Sequence, residues 1–343
     1  MKIKQIIFTE PNVAKLLERE IGEIGACDVL VKTAFSTISA GTERANLVGD
    51  LNVDPCSRPK PGDVPSFPRT VGYCSSGTVV KVGDNVKNFK VGDRVIGAWS
   101  KHSSYNIFNE SKVVKIPDEI ELCEAAICFI STFSLAGLSK TKPELGESVL
   151  VSGIGILGLF AIKLARAMGL VPIIASDPNK ERRELALKHG ADYAFDPYDE
   201  DFVSKVKGVT RNGVNLAVEV TGVGKALEQV LDCMARFGRV SLLGCTRDSD
   251  FTIDYYRKVH YPGITLVGAH TNARPAFESY PGFHTEMDDL RTILNLLSKG
   301  RIEFKSMINE THSPKECTEV FSRLAFDKDF PIGVQFDWSL LDE

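Results

Sequence analysis

No apolar stretch in this sequence approaches the roughly 18 residues that a bilayer span requires. The first twenty residues, MKIKQIIFTEPNVAKLLERE, break after a short apolar run at Glu10 and Pro11. Neither a membrane segment nor a signal peptide is therefore expected, and the expected location is the cytoplasm. Cysteine is sparse and scattered: Cys27, Cys56, Cys74, Cys123, Cys128, Cys233, Cys245 and Cys317, with no C-x-x-C spacing. That excludes a disulfide framework and suits reduced, mostly buried thiols. An excess of one charge is lacking as well, since 41 Lys and Arg face 45 Asp and Glu for a net charge of −4. Nothing in that balance calls for nucleic acid or a membrane surface as partner. Internal repeats and low-complexity tracts are missing too. What remains is an ordinary globular composition, 43% apolar and 25% charged over 343 residues, enough for about two domains.

The most informative stretch is Ser148–Gly169, SVLVSGIGILGLFAIKLARAMG. Val149, Leu150 and Val151 read as a strand buried on both faces. Gly153, Gly155 and Gly158 follow in G-x-G-x-x-G spacing, and Leu157, Phe160, Ala161, Leu164 and Ala165 then recur at a helical period. In such a context Gly153 permits a tight turn, Gly155 admits a pyrophosphate, and Gly158 lets the helix approach the strand. The N–H groups of Ile156 and Leu157 open the helix toward the phosphates. A second strand, Val171–Ala175, ends at Asp177, placed to accept hydrogen bonds from ribose hydroxyls and to repel a 2′-phosphate. Asp177 thus favours NAD over NADP; Arg182 and Arg183 nearby soften that preference.

Around this unit the chain alternates in style. Residues 1–35 read as strands Lys2–Phe8 and Val29–Phe35. Ser36–Arg44 reads as a small, polar functional loop, and five prolines make 50–70 an irregular excursion. From Val71 valines alternate with polar residues between glycines at 77, 83 and 92, as in a compact β-barrel-like unit. Residues 119–140 are expected to be helical. After the glycine motif, strands and helices alternate to about Gly268, which implies a parallel sheet with right-handed crossovers. A loop rich in Tyr, Pro, Gly and His, a helix over about 286–299 and a strand-rich return complete the chain. The expected organisation is residues 1–125 and 273–343 in one domain, with 126–272 as a dinucleotide-binding domain between them.

That order, with G-T-V-V-K-V-G-x-x-V-x-x-F-x-x-G-D-R-V over Gly77–Val95, resembles the medium-chain dehydrogenase/reductase superfamily, the zinc-type alcohol dehydrogenases and their relatives. The resemblance spans essentially the whole chain. It implies an α/β fold: a GroES-like β-barrel catalytic domain plus a Rossmann doubly wound parallel sheet. It also implies that a small-molecule substrate and the nicotinamide meet between the domains, and that subunits form a homodimer or homotetramer through the last Rossmann strands, here around Ile264–Gly268.

The sequence departs from the zinc enzymes at their metal. Where the family carries its first zinc ligand, a Cys in a G-I-C-G-T-D-like motif, this chain has Thr37-Ile38-Ser39-Ala40-Gly41-Thr42-Glu43; where the family has G-H-E, it has Gly72-Tyr73-Cys74. Serine and tyrosine are poor zinc ligands. Cys128 falls near a third ligand position, but one thiolate does not hold the ion, and the structural-zinc cysteines are missing. The expectation is a branch without zinc, similar to the dehydrogenase half of bacterial two-domain oxidoreductases. An unconventional metal site built from Cys74, His102, Cys128 and Glu43 stays open at this point.

Without zinc, a hydrogen-bond donor must polarise the substrate oxygen and exchange its proton. Tyr73 is the first candidate, with a phenol lowered by Lys101 or Arg44 if it is to act as a base. The resemblance makes Thr42 the hydroxyl nearest the substrate oxygen, Glu43 a carboxylate behind it, and Ser39 a further donor. It also places Thr132 against the nicotinamide, Thr221, Gly244, Gly268, Ala269 and His270 along the cofactor, and His102 at the cleft rim. Arg44, His102, Arg274 and Tyr280 are taken as substrate contacts. Three activities fit these residues: an NAD-dependent alcohol, polyol or sugar oxidoreductase, an NADPH-dependent quinone or enone reductase, and a catalytically silent NAD(H)-binding protein.

Overall fold

The computed structural model describes residues 1–56 and 58–341. The chain divides into two compact units, Met1–Ile130 with Leu290–Glu343, and Ser131–Asp289. Residues 273–289, grouped above with the returning segment, belong to the second unit. Arg274 there reaches the carbonyl of Thr132 at 2.6 Å and the carboxylate of Asp289 at 2.9 Å.

In the first unit a long strand, Asp28–Thr37, is the hub. It pairs antiparallel with Cys74–Val82, Val334–Asp337 and Tyr105–Asn109. Arg94–Ala98 and Val113–Lys115 extend the sheet from Cys74–Val82. The alternation read from Val71 onward is therefore real: Val29, Val31, Val79, Val95, Phe108 and Val113 all face one buried cluster. A second sheet joins Lys2–Glu10 to Val13–Glu20 and to Arg69–Thr70. Beneath it Phe8, Ile38, Leu47, Phe321, Phe336 and Trp338 form another core.

Several expectations are corrected here. Ser36–Arg44 is not a loop: Ala40–Val48 is an α-helix, closed by Gly49 in the left-handed conformation at φ 82°. Gly41 and Thr42 are weak helix formers, and burial of Ala45 and Leu47 overrides them. Val13–Glu20 is a strand that the charged KLLERE text concealed. Cys317–Phe326 is a helix, not part of a strand-rich return. The statement that no segment is long and apolar enough to span a bilayer also fails, because helix Leu122–Lys140 meets that test over an 18-residue window. Fully 78% of that window is buried inside the protein, as in a core helix.

In the second unit, among the described residues, six parallel strands run in the spatial order Tyr193–Phe195, Ile173–Ser176, Val149–Ser152, Val214–Glu219, Met234–Leu242, Thr265–Gly268. Numbered along the chain within this sheet, the order is 3-2-1-4-5-6, that of a doubly wound dinucleotide-binding sheet. Val149, Leu150 and Val151 are wholly buried, as a central strand covered on both faces requires. The chain reverses its winding between Val149–Ser152 and Val214–Glu219. A crevice at the carboxyl ends of those two strands follows from that topology.

Candidate active site

The glycine motif lies at that point of reversal. Gly153 adopts φ 95°, in the left-handed region that favours glycine. A Cβ on Gly158 would stand 2.0 Å from the Gly153 carbonyl oxygen, so the helix and the turn touch through backbone alone. A Cβ on Gly155 would meet nothing within 4 Å. Gly155 caps helix Ile156–Ala167 without a side-chain hydrogen bond. The N–H groups of Ile156, Leu157 and Gly158 therefore face outward from a helix start, as an anion requires. This open cradle fits the pyrophosphate of a dinucleotide.

Asp177 follows the strand Ile173–Ser176 and is 4% exposed. Its carboxylate accepts the N–H of Ile154 at 2.8 Å and that of Asn179 at 2.9 Å. Two of its four lone pairs remain for ribose hydroxyls. Arg182 is half-buried and its N–H is capped by Asn179, while Arg183 is spent on the Asp177 and Pro178 carbonyls and on Asp196. The Arg183 guanidinium is thus already engaged at that corner.

Two more glycine contacts close the floor. A Cβ on Gly244 would meet the Gly222 N–H nitrogen at 2.5 Å, and one on Gly222 would meet the Cys245 carbonyl at 2.5 Å. Glu219, a residue that sequence reasoning passed over, holds this turn: its carboxylate accepts the Thr221 hydroxyl and the N–H groups of Thr221 and Gly222. Burial pushes the Glu219 carboxyl above its ordinary range, and the turn's donors counter it. Gly268 is exposed, with its carbonyl 3.3 Å from the Lys140 ammonium, while Ala269 is buried and His270 half-buried.

Two residues of this unit depart from expectation. Thr132 is fully buried, its carbonyl engaged by Arg274, so no face of it lies open. Arg274 is not a free substrate contact: its side chain is 3% exposed and clamped by Asp289, which also meets the His284 ring at 3.1 Å. Burial lowers the Arg274 pKa and raises that of Asp289. Tyr280 does remain exposed, its ring stacked on Phe283.

The first unit brings Ser39, Thr42, Tyr73 and Glu43 together. The Tyr73 hydroxyl donates to Ser39 Oγ, and Thr42 is a second hydroxyl partner of the phenol. Burial pushes the Tyr73 phenol well above its ordinary value, the two hydroxyls partly oppose that, and the Glu43 charge raises it further. The expectation of a phenol lowered by Lys101 or Arg44 is thus reversed. Lys101 is exposed, and Arg44 points its guanidinium at the Ala325 carbonyl, 3.1 Å away, where it ties two helices.

His102 is corrected too. It is wholly buried, with Nε2 2.9 Å from Glu43 Oε2 and Nδ1 2.8 Å from Ser36 Oγ. Both ring nitrogens are engaged, so it supports the site from behind. Glu43 Oε1 also accepts the Ser39 N–H at 2.9 Å, at the start of helix Ala40–Val48. Around Tyr73 stand two aromatic rings that sequence reasoning did not single out, Trp99 at 5.8 Å and Phe129 at 6.4 Å between centroids.

These donors do not suit a zinc ion. Burial pushes the Cys74 thiol up to about 12, and it donates to the Ala126 carbonyl at 2.8 Å. Cys128 is raised well above its usual value and donates to the Glu124 carbonyl. Glu43 and His102 bind each other. Among the described residues, no three His, Cys, Asp or Glu side chains stand together as a metal site.

Comparison with known proteins identifies the family of the fold. Residues 25–121 match the family model of the alcohol dehydrogenase GroES-like domain, and 157–287 that of the zinc-binding dehydrogenases. The L-threonine 3-dehydrogenase of Pyrococcus horikoshii is 30% identical over 344 residues, 92% of each chain. The D-guloside 3-dehydrogenase of Escherichia coli is 26% identical, covering 90% of this chain and 91% of its own. The 2R,3R-butanediol dehydrogenase of Bacillus subtilis superposes with a TM-score of 0.80 at 22% identity, over 98% of this chain and 99% of that one. With the glycine cradle, the 3-2-1-4-5-6 sheet and the barrel-like strands in hand, the chain belongs to the medium-chain, zinc-type alcohol dehydrogenase-like superfamily and is an enzyme of the dehydrogenase type.

Proposed function

We propose that this enzyme uses NAD(H) to interconvert a secondary alcohol, a polyol or sugar derivative, and its ketone, and that it does so without zinc. The observation that carries the reading is the Tyr73–Ser39 hydrogen bond, formed by the two residues that stand where zinc-type relatives place metal ligands. Relatives named for guloside and butanediol support a hydroxyl-bearing substrate.

NAD, when bound, would supply the two-electron acceptor for the hydride of the carbinol carbon. Gly153, Gly155, Gly158, Ile156 and Leu157 would hold its pyrophosphate, and Asp177 its ribose. Asp177, with the Arg183 guanidinium engaged by Asp196 and two backbone carbonyls, supports NAD over NADP. Tyr73 would exchange its bond with Ser39 for one to the substrate oxygen. A phenol raised by burial keeps its proton, so Tyr73 acts as a hydrogen-bond donor that polarises a carbonyl, the part zinc plays elsewhere. Ser39 and Thr42 are the hydroxyls through which that proton is exchanged, and Glu43 fixes Ser39 from its backbone side. Assembly as a homodimer or homotetramer is part of the same reading, with Thr265–Gly268 at the sheet edge open to a second copy.

The test is metal content and turnover on one sample, purified untagged and without chelator. Substoichiometric zinc with NAD-dependent alcohol oxidation supports the reading. One zinc per chain, lost together with activity, would sink the zinc-free mechanism. Turnover confined to NADPH with quinones or enones would replace the substrate assignment.

A further inference from the structure

We infer that His284, backed by Asp289 and Arg274, is the general base that takes the proton of the substrate hydroxyl. This rests on the reading that the enzyme oxidises a secondary alcohol with NAD.

That reaction needs a proton acceptor, and the hydroxyls already described do not supply one. Burial holds the Tyr73 phenol above its ordinary value, and the Ser39 and Thr42 hydroxyls donate or relay a proton without keeping it. A base poised for neutral pH is most often a histidine. His102 is not available, since Glu43 and Ser36 engage both of its ring nitrogens. Nor is His312, with Glu310 on one nitrogen and Glu316 on the other.

His284 differs. Its Nδ1 lies 3.1 Å from Asp289 Oδ1, and Arg274 holds Asp289 Oδ2 at 2.9 Å. Paired with Arg274, the Asp289 carboxylate accepts, so Nδ1 carries the proton and the neutral ring keeps its lone pair on Nε2. Among the described residues nothing engages Nε2, and the side chain is 37% exposed. Asp289 is wholly buried in the first turn of helix Glu286–Ser298, and the Arg274 side chain is buried beside it. Two buried groups thus fix the tautomer and direction of the ring, as a carboxylate does behind a catalytic imidazole. A buried ion pair is costly to keep for the stability of a loop alone.

The second unit places this pair near the cofactor. Arg274 donates to the Thr132 carbonyl at 2.6 Å, and two residues along that helix Ser134 Oγ donates to the Leu157 carbonyl at 2.8 Å. Leu157 belongs to the helix start that forms the phosphate cradle. Asp177, the ribose acceptor, follows Ile173–Ser176 on one side of the cradle strand. The loop carrying His284 leaves the carboxyl end of Thr265–Gly268, the edge strand on the other side. A dinucleotide laid across the carboxyl ends with its adenosine at Asp177 points its nicotinamide toward that loop.

In the oxidation the carbinol C–H bond breaks and its hydride is accepted by NAD. The O–H bond breaks, its proton passes to Nε2, and the carbonyl double bond forms. The imidazolium then releases the proton to solvent.

The experiment measures kcat with NAD and 2,3-butanediol, L-threonine or methyl β-D-glucopyranoside in the wild type, His284→Ala and His284→Gln. NADH affinity is followed by fluorescence on the same samples. The expected result is a fall in kcat of about a hundredfold or more in both variants, unchanged NADH affinity, and recovery of His284→Ala as free imidazole is added. Independently of turnover, nitrogen NMR of histidine-labelled protein should show the neutral His284 ring protonated on Nδ1. Unchanged kcat in His284→Ala, a loss that imidazole does not restore, or a proton on Nε2 overturns the inference and leaves the dehydrogenase reading standing. A parallel loss of NADH affinity does the same, since it makes His284 a cofactor contact. Absence of wild-type turnover on all three alcohols overturns that reading and this inference with it. Should His284→Ala fail to fold, the glutamine variant and the ring tautomer decide.

Discussion

Glu43 and His102 meet at 2.9 Å with 1% and 0% of their side chains exposed. One carboxylate oxygen faces the imidazole and the other takes the Ser39 N–H, so a single residue joins the core to the residue that receives the Tyr73 hydroxyl. Behind it, His102 meets Ser36 Oγ, which accepts the indole N–H of Trp338. The C-terminal segment thereby braces the candidate site through hydrogen bonds that no local sequence window contains.

Removing the imidazole should be costly. His102→Leu leaves the Glu43 carboxylate buried without that partner, and a loss of about 3 kcal/mol is expected in urea unfolding. Adding Glu43→Gln to that variant should recover part of the loss. A double variant no more stable than His102→Leu would mean that the charge is not the source of the penalty.

Tyr73→Phe deletes the donor and keeps the ring. Turnover should fall by about a hundredfold to a thousandfold, the range for losing one preorganised donor, while NADH binding followed by fluorescence is retained. Unchanged turnover would remove Tyr73 from the mechanism.

The glycines separate structure from binding. Gly158→Ala forces a methyl against the Gly153 carbonyl, 2.0 Å from the Cβ position, and should destabilise the fold by about 1–3 kcal/mol. Gly155→Ala meets no protein atom within 4 Å; its thermal midpoint should barely change while NADH affinity drops by about tenfold or more. Equal affinity in Gly155→Ala and wild type would place the pyrophosphate elsewhere.

Glu310 supplies an acid-range test. The Arg323 guanidinium, first among its partners, holds its carboxyl down to about 2 from 4.5, with His312 assisting. A lowered folded-state value stabilises above the unfolded value, and that contribution disappears as pH falls through the folded one. Wild type should therefore exceed Glu310→Gln in stability at neutral pH, and the gap should close between pH 4.5 and about 2. A gap constant across that window would show that the Arg323–Glu310 bond does not contribute through charge.

Much of the fold was legible because its signals are local. The glycine motif, the buried Val149–Val151 strand and the valine alternation after Val71 each follow from short-range backbone and pleat geometry. Helix Ala40–Val48 was not legible, since Gly41 and Thr42 argue against it and only the burial of Leu47 and the Glu43 bond to Ser39 form it. His102 and Arg274 were read as substrate contacts because sequence shows a charge or a ring, but not whether Glu43 or Asp289 already engages it.

By itself, then, the sequence determined the parallel nucleotide-binding sheet, the acidic corner at Asp177 and the hydroxyl side chains at Ser39 and Tyr73, because backbone permissiveness and donor chemistry belong to residue type. Only the tertiary structure decided that Tyr73 is buried against Ser39 and that His102 and Arg274 are internal struts. Burial and partnership set each of those properties, and both depend on residues tens to hundreds of positions apart.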